Sequence, residues 1–365
     1  MADPVSVLWL TGAPGVGKST VGWMLYTQAR ERNRPVAHVD IDQLGLLAPA
    51  PADDPGCHRL KTTNLVEVLD TFRRYGAEHV IVSGVVDPQH GITPYLPEAS
   101  DFEFTVIRLG CTREELRRRY LARGLSGERV DEAMAFADSL DRNAVGEPLD
   151  TTALSPVDVV DLLADRLRPQ ERSRPTASAS APARPAASAP LPVLLLVGPT
   201  AVGKSTVGWE ALRILWGRGI TAAYIDADQL GFFDADSAPN IKADNLLRVW
   251  HGYRGVGARA LVVVARGTPH RYRQALAGEH VTTVCLRASE TELAERIEQR
   301  SRGDGPRLPG DSLAGASVRH QRHLLSRAAA ETTALRRSRG GATVVDTDRR
   351  ASAAIAADLV ELLEL

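Results

Sequence analysis

The chain has 365 residues, enough for two domains of ordinary size with a core each. Apolar residues make up 44% and charged residues 24%, the balance of a globular protein in water, and a net charge of −1 gives no electrostatic basis for general attraction to nucleic acid or to a membrane. Cys57, Cys111 and Cys285 fit no paired spacing, no basic leader precedes the first apolar run, and no run has membrane-spanning length, so a cytoplasmic protein with reduced thiols is expected.

The first apolar run, Val5 to Leu10, suits a buried strand and leads into Gly12-Ala13-Pro14-Gly15-Val16-Gly17-Lys18-Ser19, which fits the pattern G-x-x-x-x-G-K-[ST]. The arrangement returns after Val193 to Val197 as Gly198-Pro199-Thr200-Ala201-Val202-Gly203-Lys204-Ser205. Gly12, Gly15 and Gly17, and later Gly198 and Gly203, let backbone N–H groups converge on phosphate oxygens, and the helix that follows adds its partial positive charge. Lys18 and Lys204 are expected to reach the β- and γ-phosphates. Ser19 and Ser205 would offer hydroxyls to Mg²⁺, with Thr20 and Thr206 beside them at the nucleotide.

Val21, Met24, Leu25 and Ala29 recur at helical spacing, predicting a helix over about 17–32 whose start faces the nucleotide. Gly22-Trp23 in this helix reappears as Gly208-Trp209. A helical glycine costs about 1 kcal/mol relative to alanine, so the repeated pair points to close helix-to-sheet packing with the tryptophans in the core.

A second strand, Pro35 to Val39, ends in Asp40-Ile41-Asp42-Gln43-Leu44-Gly45, and its counterpart after Ala222 to Ile225 is Asp226-Ala227-Asp228-Gln229-Leu230-Gly231. Lys18 to Asp40 and Lys204 to Asp226 are both separations of 22 positions. Two acids at the carboxyl edge of a parallel sheet lie where open α/β folds bind ligands: one could serve Mg²⁺, the other orient or deprotonate an acceptor hydroxyl. Acids at a strand end also serve as plain turn or helix caps.

Residues 46–60 read as a Pro/Ala-rich loop, five residues longer than its equivalent, which implies unequal acceptors. Lys61-Thr62-Thr63-Asn64 then opens a helix, matched by Lys242-Ala243-Asp244-Asn245. Lys18, Lys61, Lys204 and Lys242 are the only lysines in a chain rich in arginine, and they fall in repeat-related pairs. A lysine kept among arginines marks a place for a compact, mobile charge, so Lys61 and Lys242, with Asn64 and Asn245, are candidates for holding an acceptor.

The third strand, Val80 to Val82, runs into Ser83-Gly84, with Ser83 a candidate acceptor contact; its partner, Leu261 to Val264, runs into Ala265-Arg266. Neither carries the Asp-Glu of large ring-forming ATPases. Arg266 in place of Val85 is the clearest sign that the second site has different contents.

The fourth strands, Phe104 to Leu109 and Val281 to Leu286, precede helices carrying Arg119 and Arg123, and Arg296 and Arg300. Each pair shares a helical face ahead of a glycine-containing loop, as expected of a lid that brings guanidinium groups over a transferring phosphoryl group. Leu149-Asp150-Thr151-Thr152 and Val345-Asp346-Thr347-Asp348 close the two halves, and Ser155-Pro156-Val157-Asp158 has the form of a capped helix start. Between the halves, 168–190 is mostly Pro, Ala, Ser and Arg and is expected to be a linker, leaving 1–167 and 191–365 as two domains.

With a phosphate loop after the first strand, Asp-x-Asp after the second, no paired acids after the third and an arginine lid after the fourth, each half resembles the small-molecule kinases of the P-loop class. Shikimate kinase, gluconate kinase, adenylylsulfate kinase and chloramphenicol phosphotransferase share this layout. The resemblance implies an α/β fold of two tandem P-loop NTPase domains, each a five-stranded parallel sheet of order 2-3-1-4-5. It implies that Asp40 and Asp226 lie near Mg²⁺ and that Asp42 and Asp228 contact the accepting hydroxyl. The glycine-rich acceptor loop of shikimate kinase has no counterpart beyond Ser83-Gly84, which argues against shikimate itself.

The expectation is an ATP- and Mg²⁺-dependent phosphotransferase with a small-molecule acceptor and no nucleic-acid or membrane partner, with intramolecular pairing of the two halves left open. The alternatives are a regulatory ATPase without an acceptor, or one active half and one degenerate half.

Overall fold

The computed structural model describes residues 4–96, 101–122, 127–167, 189–303, 308–338, 340–363 and 365. All but the last two residues of the expected linker, 168–190, lie outside them. The chain divides into two compact units. Unit 1 comprises Met1–Gly45, Asp54–Ala181 and Gly231–Ile241; unit 2 comprises Leu46–Asp53, Pro182–Leu230 and Lys242–Leu365.

The strands of the first half are, in chain order, β1 (Val5–Thr11), β2 (Val36–Asp40), β3 (Leu47–Ala48), β4 (His79–Ser83), β5 (Phe102–Gly110) and β6 (Glu147–Asp150). All except β3 form the parallel sheet of unit 1 in the order β2-β4-β1-β5-β6, the predicted order once β3 is set aside. Parallel neighbours cannot be joined by tight turns, so helices make the crossovers: α1 (Lys18–Glu31), α2 (His58–Arg74), α3 (Arg113–Leu121) and α4 (Val130–Arg142), while α5 (Pro156–Ala164) follows the last strand. β1 lies at the centre, and its near-continuous apolar sequence follows from burial on both faces. At the start of α5 the predicted cap is present, with Ser155 Oγ accepting from Asp158 N at 3.3 Å and Ser155 N donating to Asp158 Oδ2 at 2.8 Å.

Helix α1 turns Val21, Gly22, Leu25, Tyr26 and Ala29 toward the sheet. A Cβ on Gly22 would lie 3.2 Å from both His38 Nε2 and Ser83 Cβ, so the helix approaches the sheet at this residue as the sequence predicts. Trp23 is half-buried there, its ring within 6 Å of those of Tyr26, His38 and Phe232. Its repeat-related partner Trp209 is 39% exposed, contrary to the expectation of a core residue.

Unit 2 contains β7 (Pro192–Val197), β8 (Ala222–Asp226), β9 (Ala260–Ala265), β10 (His280–Arg287) and β11 (Thr343–Asp346). Its sheet has the order β11-β10-β7-β9-β8-β3. Five parallel strands were expected; the sixth, β3, pairs antiparallel with β8 through Leu47↔Ala223 and Ala48↔Ala222 and makes this sheet mixed. The physical reason is an open edge: β8 would otherwise end the sheet with unpaired backbone groups, and Tyr224 N donates to Leu46 O at 2.9 Å.

The edge of unit 1 is closed by a related device. His38 N on β2 donates to Phe232 O at 2.8 Å. Leu46 and Phe232 each directly follow a copy of Asp-x-Asp-Gln-Leu-Gly, and each counts with the unit built mainly from the opposite half of the sequence. The helices of the second half are α6 (Lys204–Gly217), α7 (Ala238–Gly255), α8 (His270–Ala275), α9 (Glu290–Ser301), α10 (Val318–Ser338) and α11 (Ser352–Val360). Among the described residues no helix is long and apolar enough to cross a membrane. All three cysteines are free.

Candidate functional site

In unit 1 the chain leaves β1 and turns through Gly12 (φ 140°), Gly15 (φ 93°) and Gly17 (φ 115°), all left-handed, before α1 begins at Lys18. Such a turn points successive N–H groups inward and adds the unsatisfied donors of the helix start. The Lys18 ammonium is buried against the loop's own carbonyls, at 2.9 Å from Gly12 O and 3.0 Å from Ala13 O. Thr20 is exposed beside it.

Ser19 Oγ donates to Asp40 Oδ2 at 3.0 Å, joining the helix start to the end of β2. Asp40 Oδ1 accepts from Asp42 N at 3.0 Å and caps a 3-10 turn over Ile41–Leu44, so the carboxylate has the capping role that strand-end acids often take. Burial, and then the neighbouring Asp42 charge, push the Asp40 carboxyl up to about 7. A carboxylate so disfavoured, with a hydroxyl oxygen at hydrogen-bond distance, is a donor pair that suits a hard cation.

Asp42 is 41% exposed, and Lys61 Nζ lies 3.1 Å from its Oδ1. Gly84, at the end of β4 with φ 131°, leaves room for this pair: a Cβ there would come within 2.6 Å of Ile41 Cγ2 and 3.1 Å of Asp42 Oδ2. Asp87 lies farther along the same loop. It accepts from Gln89 N at 2.7 Å, from Tyr95 Oη, and from His90 Nδ1 at 3.1 Å. Burial raises its carboxyl, but the bonds from Tyr95, Gln89 and His90 outweigh it and hold the group down at about 2.

Two expected acceptor contacts are turned into the protein. Asn64 is fully buried, and its amide donates to Leu44 O at 2.7 Å, tying α2 to the 3-10 turn. Ser83 is fully buried beneath Gly22, with Oγ 3.3 Å from His38 Nε2. Asn245 repeats the Asn64 role by donating to Leu230 O at 2.7 Å.

Arg119 braces the phosphate loop. Its guanidinium donates to Val16 O at 3.2 Å, Thr151 Oγ1 at 2.9 Å and Thr151 O at 2.7 Å, while Nε donates to Glu115 at 2.6 Å. Arg296 does the same with Val202 O at 2.8 Å, with Thr347 Oγ1 and O at 3.0 and 2.9 Å, and with Glu292 at 3.0 Å. Both were expected in a closing lid, yet every donor direction of the planar fork that these bonds use points at the protein. Arg123 lies outside the described residues. Arg300 pairs with Asp311 at 2.6 Å. Thr151 and Thr347 lie in the matching stretches that close the two halves of the sequence, and their part in holding Arg119 and Arg296 comes from the structure alone.

In unit 2, Lys204 repeats the geometry of Lys18, with Nζ 2.9 Å from both Gly198 O and Pro199 O. Gly203 (φ 99°) precedes α6, but Ala201 (φ 65°) stands where unit 1 has Gly15. Ser205 and Thr206 are exposed at the helix start. Asp226 is again pushed up to about 7, by burial and then by Asp228. Asp228 differs from Asp42: Lys242 lies 2.5 Å from Oδ1, Arg266 Nε lies 3.1 Å from Oδ2, and the side chain is only 12% exposed. Burial raises its carboxyl, but these two cations prevail and hold it below the ordinary value.

The family described as an AAA domain matches residues 8–136. The chain is similar to P-loop small-molecule kinases. Among solved structures it resembles the tunicamycin resistance protein of Deinococcus radiodurans, at 17% identity over 47% of this chain and 95% of that one, with a TM-score of 0.31. It also resembles shikimate kinase from Acinetobacter baumannii in complex with shikimate (18%, 47% and 92%, TM-score 0.29) and the APS kinase of Mycobacterium tuberculosis (18%, 48% and 98%, TM-score 0.31). No curated protein matches the chain. The matched residues 8–136 include the Gly12–Ser19 turn, Asp40, Asp42, Lys61 and Arg119.

Proposed function

We propose that the chain is an ATP-dependent phosphotransferase of two tandem P-loop kinase domains acting on a small-molecule or nucleotide acceptor, with the chemistry carried in unit 1. The observation that supports this most is the sequence of contacts from Lys18 and the loop, through Ser19 and Asp40, to the partly open Asp42–Lys61 pair. In this reading an anion cradle, a cation-binding oxygen pair and an ionisable group follow one another along one sheet edge.

In this reading the N–H groups of residues 12–19 bind the phosphates, and Lys18 exchanges its two carbonyl partners for phosphate oxygens. Ser19 and Asp40 hold Mg²⁺, which neutralises charge on the phosphates when bound. Asp42 accepts the proton at the acceptor hydroxyl, and Lys61 fixes its orientation.

A screen of hydroxy acids, sugars, nucleoside monophosphates and antibiotics with γ-labelled ATP tests the reading. Label is expected on one acceptor class, in proportion to ATP consumed. Slow phosphate release with no labelled product across the panel would instead assign a regulatory ATPase. The clamped Asp228 favours a second reading in which unit 2 is the degenerate half.

A further inference from the structure

The second phosphate loop already holds an anion of the protein's own. Thr200 N, inside the loop, donates to Glu331 Oε2 at 2.6 Å, reaching a carboxylate carried on α10. The same α10 turn supplies Arg327, whose guanidinium lies 3.3 Å from Thr200 Oγ1 and 3.7 Å from Glu331 Oε1. Glu331 is only 17% exposed, and its charge favours the protonated forms of Lys204, Arg266 and Arg327. A negative group bonded to a loop N–H, beside the Arg327 guanidinium and within electrostatic reach of the Lys204 ammonium and the Arg266 guanidinium, has the setting a phosphate group requires. Unit 1 cannot hold a carboxylate this way, because Pro14 stands in place of Thr200 and has no N–H.

We propose that Glu331 is an internal occupant of the second phosphate loop, so that a polyphosphate enters this site only by displacing the Glu331 carboxylate, taking over Thr200 N–H, Lys204 and the two guanidiniums. The proposal rests on the reading that the second loop is a nucleotide site. It makes Glu331 a competing ligand that sets the affinity of that site, since a state that must be vacated before binding lowers the apparent affinity by the fraction vacated.

The test uses the full chain carrying Lys18→Ala, so that the first loop is silenced, and Mg·ATP as probe in calorimetry. Adding Glu331→Gln, which keeps the size and removes the charge, is expected to tighten binding by roughly five- to tenfold. Glu331→Asp, which draws the charge back by one methylene, is expected to tighten it less and keeps the test alive should the Gln variant misfold. Adding Lys204→Ala should abolish the gain and so locate it at the second loop. If binding depends on Lys204 but neither Glu331 variant tightens it, the nucleotide site stands and the internal occupant is wrong. If no variant shows Lys204-dependent binding, both ideas fail.

Discussion

The two glycine-rich loops share the G-x-x-x-x-G-K-S pattern, a left-handed glycine before the helix and the placement of their lysines, yet their surroundings differ in a consistent direction. Around Lys18 the neighbours leave groups available: Pro14 donates nothing, Gly84 makes room, and Asp42 has one cationic partner and substantial exposure. Around Lys204 each corresponding position is filled: Thr200 bonds Glu331, Ala265-Arg266 replaces Gly84-Val85, and Asp228 is held between two cations. The motif thus fixes where an anion can sit, while the residues opposite it decide whether the place is free. Duplicated loops are weak grounds for duplicated activity.

The comparison breaks most visibly at the lysines. Lys18→Ala is expected to lower ATP turnover by roughly 10²–10³-fold through loss of charge at the transferring group, whereas Lys204→Ala should change it only slightly. Equal losses would show that both units turn over. Next come the acids. Asp42→Asn is expected to cut turnover by about 10²-fold or more as the proton acceptor is lost, with little change in melting temperature. Asp228→Asn should do the reverse: turnover is nearly kept, and unit 2 loses about 1–3 kcal/mol because Lys242 and Arg266 are left without their shared partner. A stable Asp228→Asn protein with strongly reduced turnover would return the chemistry to unit 2.

Much of this was legible in the residues and some was not. The central strand, the α1 start and the Ser155 cap follow from local signals, an apolar run, a glycine-lysine pattern and a capping box, whereas the strand order of unit 1 is the one implied by the resemblance to P-loop kinases. Asn64, Asn245 and Ser83 hydrogen-bond inside the protein, which the residues alone could not show, because a polar residue near a site looks the same in sequence whether it faces a ligand or satisfies a buried carbonyl or imidazole. Arg119 and Arg296 were placed on the correct helices, but helical spacing cannot show that a guanidinium is already fully engaged with Val16, Thr151 and their counterparts. Glu331 has no repeat-related partner and lies 131 positions from Thr200, so no local pattern could announce it. The same holds for Leu46 and Phe232, whose partners are distant in sequence.

Those two residues give the third test. Phe232 packs among Trp23, Tyr26 and His38 in unit 1, and Leu46 packs on the core of unit 2. Both are half-buried, so Phe232→Ala should cost about 2–3 kcal/mol and Leu46→Ala about 1–2 kcal/mol. The pattern matters more than the size. In hydrogen exchange, Phe232→Ala should deprotect β2 and α1, and Leu46→Ala should deprotect β8. Deprotection of β8 by Phe232→Ala, with β2 unchanged, would contradict the assignment of residues 231–241 to unit 1.

The smallest expected effect is a difference in acid sensitivity. Asp40 and Asp226 are both raised to about 7 from an ordinary value of 3.8, so each folded unit holds a proton that the unfolded chain has lost; both units lose stability alike as pH rises from about 4 to about 7. That shared dependence cancels when the units are compared. His38 does not cancel, because unit 2 has Tyr224 in its place. Burial pulls the His38 imidazole down to about 3 from 6.5, so on acidification the unfolded chain takes a proton that the folded unit refuses. Unit 1 therefore loses stability relative to unit 2 as pH falls from about 6.5 to about 5.5, by about 1 kcal/mol from His38, and the His58 imidazole, also pulled down by burial, acts in the same direction; below about pH 5 the lowered carboxyls of Asp87 in unit 1 and Asp228 in unit 2 contribute as well. Exchange in β2 and β8, corrected for intrinsic rates at pH 6.5 and 5.5, reads this difference directly. Parallel loss in both strands would mean that His38 is protonated in the folded state, and that the ring stack around Phe232 is open to water.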